Sequence, residues 1–370
     1  MIVDELQLRR HIDELISRKR NYRQEVKDLV GRYEFVVFYG CGAILNSIVE
    51  TWDAYVGRKI DFCCDSNSAK WGQYFCGAKC LSPKELIARK DKCAVFITIG
   101  DFEPVFKFLV ENGFPSVNQI YKYDLIASEY LANHSSREIV DKLCQTYEIL
   151  SDDQSKKVFN AIISRVLGDG KSTEVMVDVF EKHQYFPADI IQLSEHESFV
   201  DVGAYDGDTA RDFFARTHGK FDKVFSFELD AINFKSLQKN VALFPGQERI
   251  KIFNLGAWDR ECDIPYSVGQ SQSTVGKGEA QGHGVLLDEV LKNEKVTFIK
   301  MDIEGAEPQA LCGAQGIIKT QKPTLAICIY HDFKHLWEIP LCIKKLVPEY
   351  KIYLRHHTKL EYETVCYATL

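Results

Sequence analysis

The sequence lacks several signals that would fix its class at once. No apolar run approaches the length of a membrane span. The opening Met1-Ile2-Val3-Asp4-Glu5 is acidic and has no secretory hydrophobic region, so a cytoplasmic protein is expected. Positive charge is short: 46 Lys and Arg face 53 Asp and Glu, for a net charge of −7. No sustained basic stripe lies outside the first 32 residues, which argues against nucleic acid as the main partner. Twelve cysteines are present but no C-x-x-C pair, so zinc is not expected at Cys63, Cys64, Cys76 and Cys80. A disulfide framework is not expected either in a long chain with no secretory segment. Cys93, Cys328 and Cys366 sit inside apolar strands, where a reduced thiol packs as a small hydrophobe.

What is present reads as a globular α/β protein. The 370 residues are 45% hydrophobic and 27% charged, enough for two domains with sizeable cores. Residues 1–30 form an N-terminal helix with a partial apolar stripe (Ile2, Leu6, Ile12, Leu15, Ile16, Val26, Leu29), ended by Gly31. The stripe packs on the next domain or makes a homodimer contact. Residues 31–125 read as a small Rossmann-like domain: strands at Phe35–Tyr39, Ile60–Asp65 and Cys93–Gly100, with Gly40-Cys41-Gly42 turning into a helix. A phosphate could sit at that helix start with Asp65 near a ribose, so a nucleotide or nucleotide sugar is a candidate partner. Leu45 takes the third glycine place, however, and a lone G-x-G is weak. A docking or assembly role is the alternative.

Residues 126–196 read as a helical connector, interrupted at Gly168-Asp169-Gly170, that covers one edge or mouth of the second domain. The pair Tyr185-Phe186 either lies over a cofactor or anchors the connector.

Residues 197–370 carry the chemistry. Strands are expected at Phe199–Gly203, Val224–Glu228, Ile250–Asn254, Val296–Asp302, Thr324–Tyr330, Lys351–Arg355 and Thr364–Ala368. Helices are expected at Thr209–Thr217, Ala231–Leu243, Leu287–Asn293, Pro308–Thr320 and Leu336–Leu346. This pattern gives a seven-stranded doubly wound sheet closed by an antiparallel hairpin, with His356 to Lys359 as its turn.

The first strand runs into Asp201-Val202-Gly203-Ala204-Tyr205-Asp206-Gly207-Asp208-Thr209, and the second ends at Glu228-Leu229. An acid at that offset meets ribose hydroxyls. A dinucleotide needs glycine backbone against its pyrophosphate. Here Tyr205 replaces the second glycine, and Asp206 and Asp208 would repel phosphate. They suit a cationic, phosphate-free ligand, and S-adenosylmethionine fits. A purely structural turn with Asp208 or Thr209 as helix cap is the alternative. Gly256, Ala257 and Trp258, after the third strand, would border the adenine.

The fourth strand delivers Asp302 and Glu304 to the same edge, and Pro308 opens the next helix. Glu307 favours that helix start. His331 follows the fifth strand and can accept a proton from a hydroxyl. The polar, glycine-rich stretch 267–284 reads as a binding loop, offering Gln272, Ser273, Thr274 and His283 to an acceptor.

The segments FVDVGAYDGDT, FSFELD, IKMDIEGAEPQAL, LAICIYHDFKHLWEIP and YLRHHTKLEYETVCYA together resemble the FkbM family of S-adenosylmethionine-dependent methyltransferases, over about 184–370. The resemblance implies a class I methyltransferase fold and O-methylation of sugars or natural products. It places Asp201, Gly203, Gly207 and Glu228 in the cofactor site, and Asp302 and Glu304 in the family's acidic motif. The expected reaction is displacement at the sulfonium methyl by a hydroxyl of a small-molecule or glycan acceptor. His331, Asp302 and Glu304 are the base candidates, in that order. No metal is assigned, Mg²⁺ between Asp302 and Glu304 being the lesser alternative. A non-catalytic nucleotide- or sugar-binding assembly subunit, and an oxidoreductase using the first domain, stay open as other readings.

Overall fold

The computed structural model describes residues 5–100, 102–120, 122–168, 174–244, 246–266, 279–359 and 362–370. The chain divides into two compact units, Met1–Cys144 with Ala161–Val175, and Gln145–Asn160 with Met176–Leu370.

In the first unit, six strands form a sheet in the order Tyr74–Phe75, Ala78–Leu81, Phe62–Cys64, Phe35–Tyr39, Cys93–Ile97, Val117–Gln119. All neighbours are parallel except the first pair. Alternate residues of Phe35–Tyr39 feed two cores, Val36 and Phe38 on one face, Val37 and Tyr39 on the other. The expected single N-terminal helix is two, Glu5–Arg20 and Tyr22–Gly31. The break at Asn21 follows Lys19, whose ammonium is buried against Asp124 at 2.6 Å. The apolar stripe serves this unit's own packing: Ile12, Ile16, Val26 and Val30 are buried, while Leu6 is exposed.

In the Gly40-Cys41-Gly42 turn, the Cys41 N–H is already bonded within the protein. Asp65 accepts the Cys41 N–H (2.9 Å), and Lys70 Nζ bridges Asp65 Oδ2 (2.8 Å) and the Cys41 carbonyl (2.9 Å). Gly40 is required by packing, since a Cβ there would lie 2.3 Å from Ile99 Cγ2.

The second unit holds a seven-stranded sheet. Its strands are β1 (Ser198–Val202), β2 (Lys223–Phe227), β3 (Ile250–Phe253), β4 (Phe298–Met301), β5 (Thr324–Cys328), β6 (Lys351–His356) and β7 (Thr364–Thr369). The order is β6-β7-β5-β4-β1-β2-β3, parallel but for β7, which runs antiparallel to both neighbours. The inner strands β1, β4 and β5 are almost wholly buried and read as near-continuous apolar runs. Asp201 and Lys300 interrupt those runs, and register pairs them side by side. This is a mixed α/β protein whose second unit has the expected seven-stranded doubly wound sheet closed by an antiparallel hairpin.

Three expectations fail for local reasons. The helix expected over Pro308–Thr320 is split into Glu307–Cys312 and Gln315–Gln321. Gly313 packs so tightly on the Trp258 carbonyl that a Cβ would come within 1.9 Å, and Asp288 caps the second piece through Gly316 N and Ile317 N, both at 2.8 Å. The stretch 267–284 is not all loop, because Ala280–Val285 pairs antiparallel with Cys262–Tyr266 and parallel with Gly256–Ala257. Its glycines admit neighbouring side chains: a Cβ on Gly282 would sit 2.2 Å from Leu229 Cδ1, and one on Gly284 2.6 Å from Ile264 Cδ1. The connector is helical only to Val177; residues 178–197 have no helix.

Within the second unit, connector residues seal the β6 edge, which would otherwise offer unpaired backbone. Ser151 N donates to the Ile352 carbonyl (2.8 Å), Leu354 N donates to Ser155 Oγ (2.9 Å), and Glu181 N donates to the His356 carbonyl (2.7 Å). Arg355, buried, is held by Asp152 (2.6 Å) and Asp189 (2.5 Å).

Candidate active site

A crevice of about 290 Å³ opens over the C-terminal ends of β1, β2 and β4. Its floor is set by the buried pair in the sheet. Lys300 Nζ lies 3.0 Å from Asp201 Oδ1 and donates to the Gly203 carbonyl at 2.6 Å, which ties the glycine turn to β4. Burial works against the Lys300 ammonium, but Asp201 and Asp302 outweigh it and hold its pKa above the ordinary lysine range. Gly203 has φ +79, and a Cβ there would meet the Asp302 carbonyl at 1.9 Å. Only glycine allows β1 and β4 to turn this close together.

At the β2 end, Glu228 is buried and accepts from Tyr205 N and Asp230 N, both at 2.8 Å. Burial raises its pKa to about 7 against those two N–H bonds. Each oxygen keeps a lone pair for a further donor, as a ribose would supply. Asp230 caps the helix Ala231–Val241 through Ile232 N and Asn233 N.

At the β4 end stand three carboxylates and one imidazole. His331, its side chain 6% exposed, faces Glu307 through Nδ1 (2.9 Å), and Asp302 (3.5 Å) and Glu304 (3.6 Å) through Nε2. Burial opposes the charged ring, but Glu307, Glu304 and Asp302 prevail and raise its pKa to about 10. Asp302 accepts from Tyr185 Oη (2.7 Å) and Tyr330 Oη (3.0 Å). Burial pushes Asp302 upward, yet Lys300, His331 and the two hydroxyls bring it below the usual carboxylate range. Glu307 is fully buried and also accepts the Ile303 N–H at 2.9 Å, so it does more than favour a helix start.

Seven non-glycine residues have positive φ among the described residues, and four of them, Tyr185 (+65), Tyr205 (+47), Glu304 (+55) and Glu363 (+67), line the crevice. Each such conformation costs roughly 1–3 kcal/mol, and such strain gathers at functional sites.

The structure brings together much of the expected site. Gly203, Tyr205, Thr209, Glu228, Leu229, Gly256, Ala257, Trp258, Asp302 and Glu304 line the crevice. Asp201 does not; it is fully buried and reaches the turn only through Lys300. Ala204, Asp206 and Gly207 also lie outside the lining: Ala204 packs with Leu237 and Val241, and Gly207 supplies the left-handed start (φ +89) of the helix Asp208–Arg216. His331 sits behind Asp302 and Glu304 rather than in the crevice. Its raised pKa favours the charged ring, whereas the sequence led to the expectation of a neutral general base there. His283 projects from the Ala280–Val285 strand toward Glu261 (3.3 Å) and Asp263 (3.5 Å), away from the lining. Gln272, Ser273 and Thr274 lie outside the described residues.

Sequence reasoning missed Lys300, Gln184 and Glu363, all of which line the crevice. A lysine inside an otherwise apolar strand, beside an equally isolated aspartate, was a legible signal for the first. Tyr185 and Phe186 divide the roles weighed for them. Tyr185 lines the crevice beneath the Lys300 ammonium (5.1 Å to the ring), whereas Phe186 is buried among Phe199, Phe213 and Phe298.

Residues 201–358 match the family model of the methyltransferase FkbM domain. The chain is similar over its length to the crystal structure of methyltransferase FkbM from Methylobacillus flagellatus KT: 21% identity, 99% of this chain and 100% of that one, TM-score 0.78. It is more distantly similar to an rRNA methylase from Streptococcus thermophilus (13% identity, 53% and 92% of the chains, TM-score 0.32). A further likeness is TrmK from M. capricolum, solved with S-adenosyl-homocysteine (13%, 48% and 62%, TM-score 0.29). No curated protein sequence matches this chain.

Proposed function

We propose, from the match of residues 201–358 to the methyltransferase FkbM domain model, that the protein is an S-adenosylmethionine-dependent O-methyltransferase acting on a hydroxyl of a sugar, glycan or related small molecule. The observation that carries this reading is the charge of the crevice. Among the described residues, Asp208, Glu228, Asp230, Asp302, Glu304 and Glu363 line it, against one cation, Lys300, already paired with Asp201. Such a lining disfavours pyrophosphate and suits a ligand bearing a sulfonium and an ammonium. Glu228 would take ribose hydroxyls, and Leu229 and Trp258 would flank the base. When bound, the donor supplies an electrophilic methyl group. This chain's residues would align the acceptor oxygen with it, exclude water and receive a proton, with alignment giving most of the rate.

Calorimetry with S-adenosyl-homocysteine and with NAD tests the cofactor. Uptake of the first and not the second is expected; NAD uptake alone would sink the reading. Methyl transfer from labelled donor to a panel of methyl hexopyranosides tests the acceptor class, and transfer only to amines would refute hydroxyl methylation.

A further inference from the structure

We propose that Glu363 is the catalytic proton acceptor, taking the proton of the acceptor hydroxyl as the methyl group is transferred; this rests on the hydroxyl-methylating reading above. Glu363 lies beyond the matched segment 201–358. Topology delivers it. In the parallel strands, chemistry collects at C-terminal ends. Because β7 runs antiparallel to β5, the residue that precedes β7 arrives at that same edge. Glu363 lines the crevice with Tyr185, Asp302 and Glu304, and it holds φ +67, a strained conformation for a glutamate.

The hydrogen bonds single it out among the carboxylates. Tyr330 Oη lies 3.0 Å from Asp302 Oδ1 and 3.4 Å from Glu363 Oε1. One hydroxyl carries one proton, and the shorter contact takes it. Tyr185 gives its proton to Asp302 as well. Asp302 is thereby satisfied twice, and His331 faces it, Glu304 and Glu307. Glu363 receives the Gln184 amide at Oε2 and, at Oε1, only the longer of the two Tyr330 contacts, and no cation lies within ion-pair distance of it among the described residues. Oε1 keeps its lone pairs for an incoming proton. The charged and titratable groups around it are Asp302, His331, Tyr330, Tyr185 and Cys328. Burial first, then the charge of Asp302, raises Glu363 to about 7, while Gln184, His331 and Tyr330 pull the other way. A group titrating there can accept and release a proton near neutrality.

In the step, the acceptor O–H bond breaks and its proton passes to Glu363 Oε1. The acceptor oxygen bonds the methyl carbon, and the carbon–sulfur bond gives its pair to sulfur. Glu363 then releases the proton to solvent.

The test begins without an acceptor. Binding of S-adenosylmethionine and of S-adenosyl-homocysteine to the full chain is measured at pH 7 in buffers of different ionisation enthalpy. A sulfonium beside Glu363 lowers its pKa, so the first ligand should expel more protons than the second. In Glu363→Gln that difference should vanish while S-adenosyl-homocysteine affinity is unchanged. Equal proton release in the wild type, or a difference that survives in Glu363→Gln, overturns the assignment. Failure of both ligands to bind refutes the methyltransferase reading itself. With an accepted hexopyranoside, Glu363→Gln should lower kcat about 10²–10⁴-fold and abolish the acid limb near pH 7, with KM for the donor retained. Glu363→Asp, which restores a shortened carboxylate, should recover part of the rate. Full activity in Glu363→Gln also overturns the assignment.

Discussion

His331 offers the sharpest check on the charge assignments. Its imidazole lies within 3.6 Å of carboxylates on three sides, and its pKa is raised from 6.5 to about 10. A raised folded-state pKa makes the stabilisation complete below the unfolded value and removes it as pH climbs through the folded one. Wild-type stability should therefore decline between about pH 6.5 and 10, losing one bound proton. At about 1.4 kcal/mol per tenfold in proton affinity, the total is at most about 5 kcal/mol. Substitution His331→Gln removes the cation and leaves Glu307 buried without it. The variant should be less stable by about 3–5 kcal/mol at pH 6, with the gap closing toward pH 10. Denaturant unfolding would be followed by Trp258 and Trp337 in a background where Trp52 and Trp71 are phenylalanine. Only the second unit then reports, and comparing the variants cancels alkaline effects common to both. A gap that stays constant from pH 6 to 10 would mean that the ring is neutral throughout, and the general-base reading would return.

Further outcomes follow from the same contacts. Lys300→Met leaves Asp201 buried and unpaired and should cost about 3–5 kcal/mol by denaturant unfolding, whereas Asp201→Leu combined with Lys300→Met should cost less than Lys300→Met alone. If the two cost the same, the pair is not charged. Gly203→Ala forces a Cβ to 1.9 Å from the Asp302 carbonyl at φ +79; S-adenosyl-homocysteine binding by calorimetry should be lost, and retained affinity would show that the turn is not part of the site. Glu228→Ala should weaken that ligand by at least tenfold, a charge-assisted hydrogen bond being worth about 1.5–3 kcal/mol.

The second unit's sheet was legible because its signals were strong and local. Each buried parallel strand is a short apolar run ended by a polar turn, and strand bounds shift by no more than a few residues from expectation. What escaped depended on contacts between distant residues. Ala280–Val285 shows no hydrophobic alternation, because its glycines make room for Leu229 and Ile264. The split at Gly313 is imposed by the Trp258 backbone, a partner remote in sequence. At the site, the residue types were legible and their roles were not. Asp201 looked like a ligand contact, and register turned it toward Lys300. His331 looked like a base, and three carboxylates raise its pKa and favour the charged ring. Whether a titratable group is free or matched depends on what faces it, and sequence order does not give that.

Charge accounting across the crevice ties these assignments together. A sulfonium donor brings a positive charge into a lining of six carboxylates whose lysine is already paired. Transfer of the methyl group neutralises sulfur and frees one proton from the acceptor. If that proton left for solvent during the step, the crevice would become more anionic by one charge as its ligand lost its attraction. Holding it on Glu363 leaves the total charge inside unchanged, so the positive charge crosses the crevice instead of departing. Asp302 and Glu304 cannot serve equally well: Asp302 is already satisfied by two hydroxyl protons and the Lys300 field, and Glu304 faces the His331 cation at 3.6 Å. Fixing His331 as an imidazolium thus selects the base. Glu228 also titrates near 7 but is held by two backbone N–H groups at the β2 end, so matching three carboxylates to one buried cation leaves Glu363 as the carboxylate at the β4 end whose proton affinity can change usefully near neutral pH.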